Sequence, residues 1–419
     1  SAAGAMVDSL FENMEKESVA YTFTTTGLLW QLIGYIIEQK SQIAPSVQNT
    51  VYRKNKQIKK VLTKIKNYLR NDVVLSVSLL LALLSCLIEP PSLKYLRYID
   101  FNTLIMLFCL MLIIEGLRGQ NFLQFIGSRI LIKVKTRRGI VFTLIFLCFI
   151  SSMFITNDVS LITFVPFGIM ILEMINLTDK LCGTVTLMTI AANLGSMFTP
   201  IGNPQNLYLF SLSGMGVPEF LELMWLYTGL AAFMLTVVVL VFYPEEHLQL
   251  VIKTERLKDK RTVCFYLVLF ALCVLTVAHF VPHLILLAIV AAALLYKNKS
   301  LFRQIDYSLL LTFLFFFIFV GNMNHIGSLH SFINQILAGN EVLISVAVSQ
   351  VISNVPAAML LSGYSNNYAA LIVGTNLGGL GTLIASMASL ISYKQVAAKY
   401  PHLRLSLIHI SEPTRRTPI

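Results

Sequence analysis

The chain has 419 residues, of which 56% are hydrophobic and only 13% are charged, and its formal net charge is +11. Soluble domains carry about 25% charged residues, so this composition excludes an ordinary soluble protein and indicates a polytopic membrane protein. The positive charge alone would suit a nucleic-acid partner. However, Lys and Arg cluster in short loops at 54–66, 133–138, 253–261 and 297–299, a distribution that favours topology signals and contact with anionic lipid instead.

Residues 1–56 differ in character from the rest of the chain. Their apolar run GLLWQLIGYII is too short to cross a bilayer and lacks the layout of a signal peptide. We therefore expect a soluble or interfacial appendage, of the kind that a gene-model fusion would produce.

Apolar segments near the length of a membrane-spanning helix follow the appendage. The eight expected spans are 73–88, 101–117, 181–198, 222–243, 263–281, 283–296, 307–320 and 369–393. Two other apolar segments, 140–175 and 342–364, carry polar residues at their middle, TND in the first and SNVP in the second. We interpret each of these two as a re-entrant hairpin.

The basic loops set the predicted orientation. If the loop that ends at Lys66 is cytoplasmic, threading the spans in order places every other basic loop, including 244–262, on the same face. The first hairpin then dips from the cytoplasmic face and the second from the opposite face. The sequence thus predicts a multi-pass integral protein of the plasma membrane with a cytoplasmic N-terminus.

An internal repeat is visible without gaps. NLGSMFTPIGN (193–203) and NLGGLGTLIAS (376–386) share Asn, Leu, Gly, Thr and Ile, and each follows a hairpin. Since the hairpins enter from opposite faces, 57–243 and 263–395 are predicted to be inverted repeats, an architecture typical of secondary transporters. The expected fold is an all-α polytopic membrane protein with about eight spanning helices, two re-entrant hairpins and two broken helices, at 181–213 and 369–393.

The broken helices and hairpin tips form the candidate site. Each unpaired backbone group at membrane depth costs on the order of a few kcal/mol, so a break persists only where protein, water or a ligand satisfies it; a kink packed on its neighbours is the alternative. Helix N-termini suit an anion, whereas carbonyl ends and neutral amides suit a cation. The candidate residues are Thr156, Asn157, Asp158, Asn193, Gly195, Thr199, Gly202, Asn203, Ser353, Asn354, Asn376, Gly378 and Thr382.

Asp158 is the ionisable residue of the first tip. A carboxylate near the bilayer centre costs about 2.5 to 3.5 kcal/mol on insertion scales, so it should be paired, hydrated or protonated. We expect it to bind a coupling cation or proton; the alternative is a structural cap of the following helix half. Candidate ligands for Na⁺ are Asn157, Asp158, Asn193, Asn354 and Asn376. The second tip has Val355 at the corresponding position, so the site is asymmetric in charge.

Three motifs, TNDVSLITFVP, ANLGSMFTPIGNPQN and SNVPAAML, resemble the ion transporter superfamily. This superfamily includes arsenite permeases, citrate and dicarboxylate transporters, and one group of sodium/proton antiporters. The resemblance spans roughly residues 60 to 395. It implies secondary active transport of a small anion, either a carboxylate or an arsenite-like oxyanion, coupled to Na⁺ or H⁺ without any other cofactor.

The resemblance also implies roles for individual residues. In dicarboxylate/sodium symporters both tips carry Ser-Asn-Thr, which binds the substrate carboxylate and helps to form sodium sites. Thr156 with Asn157, and Ser353 with Asn354, would then contact the ligand. The third position departs from that pattern, and the TND tip together with TPIG (199–202) is more similar to arsenite permeases. The dicarboxylate branch further implies a homodimer.

Other functional classes make different demands on the sequence. A sodium/proton antiporter is the nearest rival, and Asp158 is the argument for it. An intramembrane enzyme needs a reactive pair or an HExxH motif, and neither occurs at the predicted membrane depth, so we do not expect an enzyme. A passive channel would not require two matching helix breaks with opposed hairpins.

The C-terminus raises a separate expectation. SLIHISEPTRRTPI (406–419) is similar to translated sequencing-adapter sequence and is predicted to be an artefactual tail. In the first repeat span 222–243 follows the broken helix, whereas no comparable apolar segment follows 393. We therefore hypothesise that the second repeat is truncated.

Overall fold

A computed structural model describes residues 72–248, 255–383 and 385–401. In these ranges the chain forms seventeen α-helices, two short 3₁₀-helices and no β-strand, which confirms the all-α fold. The appendage 1–56, residues 57–71 and the tail 406–419 lie outside the described residues. The candidate site lies within the compact unit that begins at Val74.

The first half of the described chain contains nine helices. Their bounds are α1 Val73–Ser85, α2 Tyr95–Tyr98, α3 Phe101–Gly119, α4 Phe122–Leu131, α5 Arg137–Ile155, α6 Asn157–Met174, α7 Leu181–Ser196, α8 Pro204–Ser213 and α9 Val217–Phe242. Polar caps set several of the starts. The side chain of Thr136, for example, accepts a hydrogen bond from the backbone N–H of Gly139 and so begins α5.

The second half contains eight helices. Their bounds are α10 Lys260–Val277, α11 His283–Lys297, α12 Tyr307–Met323, α13 Gly327–Leu337, α14 Glu341–Ile352, α15 Asn354–Ser362, α16 Tyr368–Leu377 and α17 Met387–Lys399. The helix in the predicted span 263–281 ends at Val277, because His279 adopts a positive φ of 63° that an α-helix does not allow. The predicted range 369–393 is interrupted after Leu377, and its second helix continues to Lys399.

Helix length and composition support a multi-pass integral membrane protein. Among the described residues α3, α5, α6, α9 and α10 are each long and apolar enough to cross a bilayer. The apolar helices α1, α11 and α12 are shorter, with 13, 15 and 17 residues. The two arms of the first hairpin, α5 and α6, thus reach spanning length, whereas α14 and α15 have 12 and 9 residues. That both hairpins are re-entrant stays a prediction.

A short helix that the apolar pattern did not predict precedes each hairpin. Before the first hairpin, α4 buries Leu123, Gly127 and Leu131 along one face. Before the second, α13 packs through Leu337, and its last residues meet α14 at an angle of 110°. The order short helix, hairpin, broken helix therefore occurs twice in the chain.

Polar contacts join the helix ends that the threading places on the cytoplasmic face. The loop before α5 pairs with the loop after α9, and the end of α6 pairs with the end of α17. The ion pairs are Arg137–Glu246 at 2.5 Å, Arg138–Glu245 at 3.1 Å and Lys399–Glu173 at 2.7 Å. These contacts agree with the predicted grouping of loops; the orientation of that face toward the cytoplasm stays a prediction.

Candidate functional site: two hairpin tips and two helix breaks

Both hairpins turn through a single residue. Thr156 separates α5 from α6 with φ 71° and ψ 150°, and Ser353 separates α14 from α15 with φ 77° and ψ 155°. These values lie in a region that residues with a side chain rarely adopt and that clusters at functional sites. Because the two turns are nearly identical, the same strained conformation is built into both halves.

The asparagine after each turn fixes its tip. Oδ1 of Asn157 accepts a hydrogen bond from the backbone N–H of Asp158 at 3.0 Å, and Oδ1 of Asn354 accepts one from Val355 at 2.9 Å. Both asparagine side chains are buried. Each tip is therefore followed by the N-terminus of a helix, with an ordered, buried amide beside it.

The first helix break covers residues 197–203. Asn203 caps α8 by accepting a hydrogen bond from the backbone N–H of Asn206 at 2.9 Å. Pro204 is the first residue of the helix, where its lack of an N–H leaves no hydrogen bond unmade. Nδ2 of Asn206 lies 3.4, 3.2 and 3.2 Å from the carbonyl oxygens of Ser196, Met197 and Thr199. The buried Asn206 amide thus satisfies carbonyl groups that the break releases from the helix.

The second break lies between Leu377 and Met387, and a side chain from the hairpin holds it. Nε2 of Gln350 donates to the carbonyl oxygens of Gly378 at 2.7 Å and Leu380 at 2.8 Å. Its Oε1 accepts a hydrogen bond from the backbone N–H of Thr382 at 3.0 Å. Gln350 was not among the predicted residues, because it lies in α14 and precedes the tip motif.

The two breaks contact their hairpins through equivalent residues. The Thr199 hydroxyl donates to the carbonyl oxygen of Met153, and the Thr382 hydroxyl donates to that of Gln350 at 3.0 Å. Met153 and Gln350 each lie three residues before their tip residue. The same pair of aligned threonines therefore anchors each break to the first arm of its own hairpin.

Aligned glycines allow the helices to approach closely. A Cβ atom added to Gly195 would lie 2.0 Å from the carbonyl oxygen of Phe149 in α5. One added to Gly378 would lie 2.6 Å from Cβ of Ser349 in α14. Both distances are far below van der Waals contact, so α7 and α16 pack on their hairpin arms only because glycine occurs there.

The two halves exchange hydrogen bonds at their breaks. Nδ2 of Asn203 donates to Oδ1 of Asn376 at 2.9 Å, and Oγ of Ser386 donates to Oδ1 of Asn193 at 2.9 Å. Ser386 caps α17 as Asn203 caps α8, and the repeat aligns these two positions. Each cap residue thus binds the central asparagine of the other half.

The tips join the same network. Nδ2 of Asn157 donates to Oδ1 of Asn193 at 2.9 Å, and the backbone N–H of Asn354 donates to the carbonyl oxygen of Ala385 at 3.0 Å, next to Ser386. The thirteen candidate residues lie in the two tips, in the two breaks, or in the last turn of the helix before each break. Their role in ligand binding stays a prediction.

Asp158 differs from the neutral residues around it. Its Oδ1 atom is buried and has no hydrogen-bond partner within the part of the chain that the structure describes. That Asp158 binds a coupling cation or proton, rather than capping the following helix half, stays a prediction. Groups of three or more His, Cys, Asp or Glu side chains that could hold a metal ion do not occur in the described ranges. A cation here would rely on one carboxylate and neutral oxygens.

Paired hairpins and paired helix breaks in an all-α membrane protein are typical of secondary transporters. The family model described as "Citrate transporter" matches residues 61–391. The chain therefore belongs to the citrate transporter family. The match includes both tips and both breaks, and it confirms the resemblance to the ion transporter superfamily inferred from the motifs.

Individual relatives agree with this assignment. The chain is 36% identical to the uncharacterized transporter MJ0456 of Methanocaldococcus jannaschii over 325 residues, which cover 76% of the chain and 87% of the relative. It is 30% identical to the inner membrane protein YbiR of Escherichia coli over 302 residues, 71% of the chain and 80% of the relative. It is also 26% identical to the putative transporter arsB of Dictyostelium discoideum over 150 residues, 35% of the chain and 26% of that protein.

Proposed function

We propose that the protein is a secondary active transporter of a small anion, either a carboxylate such as citrate or a dicarboxylate, or an arsenite-like oxyanion, coupled to Na⁺ or H⁺. One observation carries the proposal: buried hydrogen bonds join the N-termini of α6, α8, α15 and α17. Ser196 completes the network, because its hydroxyl accepts a hydrogen bond from Asn203 at 3.2 Å and donates one to the carbonyl oxygen of Asn193 at 2.9 Å. Helix N-termini present unpaired N–H groups and the positive end of the helix dipole, which favour an anion.

The neutral residues of this network would orient the anion. Asn157 and Asn354 each have one amide oxygen committed to a tip N–H, which fixes the direction of the rest of the side chain. Asp158 supplies the negative charge that a coupling cation or proton would neutralise. In this proposal the anion and the cation enter together because the dipoles favour one charge and the carboxylate favours the other.

Transport requires the site to face each side of the membrane in turn. Hydrogen bonds tie the hairpins to the broken helices, whereas α9 displays apolar side chains such as Trp225 and Phe233 at its surface. We propose that the hairpins and broken helices move as one body against the remaining spans, in an elevator-like or rocking movement. This motion takes place within the lipid bilayer. That the protein forms a homodimer stays a prediction.

The test is uptake by proteoliposomes that contain the full chain. Radiolabelled citrate, succinate and arsenite are supplied under an inward Na⁺ or H⁺ gradient, and gradient-dependent uptake of at least one is expected. Asn354→Ala should abolish uptake while the protein still purifies as a folded species. Asn334→Ala, at an exposed position in α13, is the matched control and should retain uptake. Absence of gradient-driven flux for all three anions would refute the proposal.

A sodium/proton antiporter is the second candidate, and the unpartnered carboxylate oxygen of Asp158 is the observation that favours it. Vesicles loaded with a pH-sensitive amine dye distinguish the two functions. An antiporter dissipates a preset pH gradient when Na⁺ is added without any anion substrate, and Asp158→Asn should remove that response. Asp179→Asn, at an exposed position before α7, should leave it intact.

A further inference from the structure

The two halves differ at the residue three positions before each tip. The first hairpin has Met153 there, which offers only its backbone carbonyl to Thr199. The second has Gln350, whose side chain adds three contacts to the facing break. The second half thus has the additional polar side chain, whereas the first half has the additional charge: the first tip carries Asp158 and the second carries Val355.

The Gln350 amide is fully engaged. A side-chain amide nitrogen has two hydrogens, and these are directed at the carbonyl oxygens of Gly378 and Leu380 at 2.7 and 2.8 Å. These distances are shorter than the 3.2 to 3.4 Å between Asn206 and the carbonyls of the first break. Gly381 makes room for the amide, since a Cβ atom there would lie 2.4 Å from Oε1 of Gln350.

Carbonyl oxygens at a helix break are the groups that coordinate Na⁺ in many transporters. A donor with two N–H groups between two such oxygens supplies the partial positive charge that a cation would otherwise supply. Val355 offers no negative charge nearby to favour a cation over the amide. The protein therefore satisfies the carbonyl groups of the second break through shorter hydrogen bonds than those that Asn206 makes in the first, and it places no carboxylate beside them.

We propose that Gln350 is a positioning residue that closes the second break in place of a cation, so that the coupling cation acts at Asp158 in the first half alone. This inference rests on the proposed cation-coupled function. It gives the two inverted halves different roles in that function. The first half senses the cation, and the second half contributes neutral contacts to the anion.

The test compares melting temperatures of the purified full chain in NaCl and in choline chloride at equal concentration. Asp158→Asn removes the cation site of the first half, and its melting temperature should be the same in both salts. Adding Gln350→Met, which copies the first half, should lower the melting temperature in choline chloride and restore it in NaCl, because Na⁺ can bind the released carbonyls. Adding Gln304→Met instead, at an exposed position outside the site, should give the same melting temperatures in both salts as Asp158→Asn alone.

Two results would overturn the inference. One is a rise in melting temperature with NaCl in the Asp158→Asn variant, which would mean that a cation binds while Gln350 is in place. The other is a double variant that is destabilised equally in both salts, which would make Gln350 purely structural. If the double variant does not fold, the wild-type chain and Asp158→Asn still decide the question: NaCl should raise the melting temperature of the wild type and not that of the variant, and equal melting temperatures of the wild type in both salts would overturn the inference. Anion uptake by the wild-type chain is measured in a separate experiment. A failure of the proposed function can therefore be distinguished from a failure of this inference.

Discussion

The side-chain amide of Asn203 donates a hydrogen bond of 2.9 Å to Asn376, although 173 residues separate the two in the chain. Asn203 begins the helix after the first break, and Asn376 lies at the end of the helix before the second. The breaks therefore cannot separate without exposing buried amides that have lost their partners. A ligand held by one break is held by a unit that contains both.

Replacing Asn203 by Ala should destabilise the protein strongly. The substitution removes the cap of α8 and leaves the buried Asn376 oxygen without its Asn203 donor, and an unsatisfied buried polar group costs about 1–3 kcal/mol. The measurement is the unfolding midpoint in denaturant for protein in detergent micelles. Asn334→Ala, on the exposed surface of α13, should change stability by no more than about 0.5 kcal/mol. Equal midpoints for the two variants would contradict the network.

Glycine at position 195 should be required for packing. Gly195→Ala places a methyl group 2.0 Å from the Phe149 carbonyl oxygen, so α7 and α5 must move apart, at a cost of about 1–3 kcal/mol or more. In Gly229→Ala the added methyl group meets no atom within 4 Å, and the change should stabilise α9 by about 0.5–1 kcal/mol. Opposite signs in the unfolding free energies are expected, and a neutral Gly195→Ala would count against the close approach.

The sequence repeat predicted which residues occupy the two breaks, because aligned motifs reproduce aligned contacts, as Thr199 and Thr382 do. It could not predict Gln350 as a partner of the second break, since that contact depends on how a hairpin arm packs on a different helix. The crossed pairs between cap residues and central asparagines were equally hidden, because an alignment shows equivalence within each half and not contact between halves.

Helix boundaries show a similar limit. The repeat motif predicted a break within 369–393, and the structure has one between Leu377 and Met387. Hydropathy placed the end of this range at 393, whereas the second helix continues to Lys399, because its last turns are too polar for an apolar run to include them. The short helices α4 and α13 were missed for a different reason. Their amphipathic pattern of about ten residues lies below the length that a search for spanning helices recognises.

Both anchoring threonines should contribute to stability, and Thr382 should contribute more than Thr199. Thr199→Val and Thr382→Val each preserve side-chain volume while removing the hydroxyl that binds a hairpin carbonyl oxygen. Thr199→Val should lower the unfolding free energy by about 1 kcal/mol, the typical net contribution of one hydrogen bond. Thr382→Val should lower it by about 2 kcal/mol, because the Thr382 hydroxyl also accepts a hydrogen bond from the backbone N–H of Ala385 at 3.1 Å. Thr178→Val, at an exposed position before α7, is the control and should have little effect. A large effect in one break and none in the other would show that the halves are not equivalent in stability.

The predicted orientation can be tested by cysteine labelling from outside the cell. After replacement of the exposed Cys264 by Ser, Arg256→Cys and Asn366→Cys provide one exposed thiol on each predicted face. The loop that contains Arg256 follows Glu246, which pairs with Arg137 in the basic loop before α5, so the positive-inside rule assigns both loops to the cytoplasm. An impermeant maleimide should label Asn366→Cys in intact cells and Arg256→Cys only after permeabilisation. The reverse pattern would invert the topology and place the Asp158 hairpin on the external face.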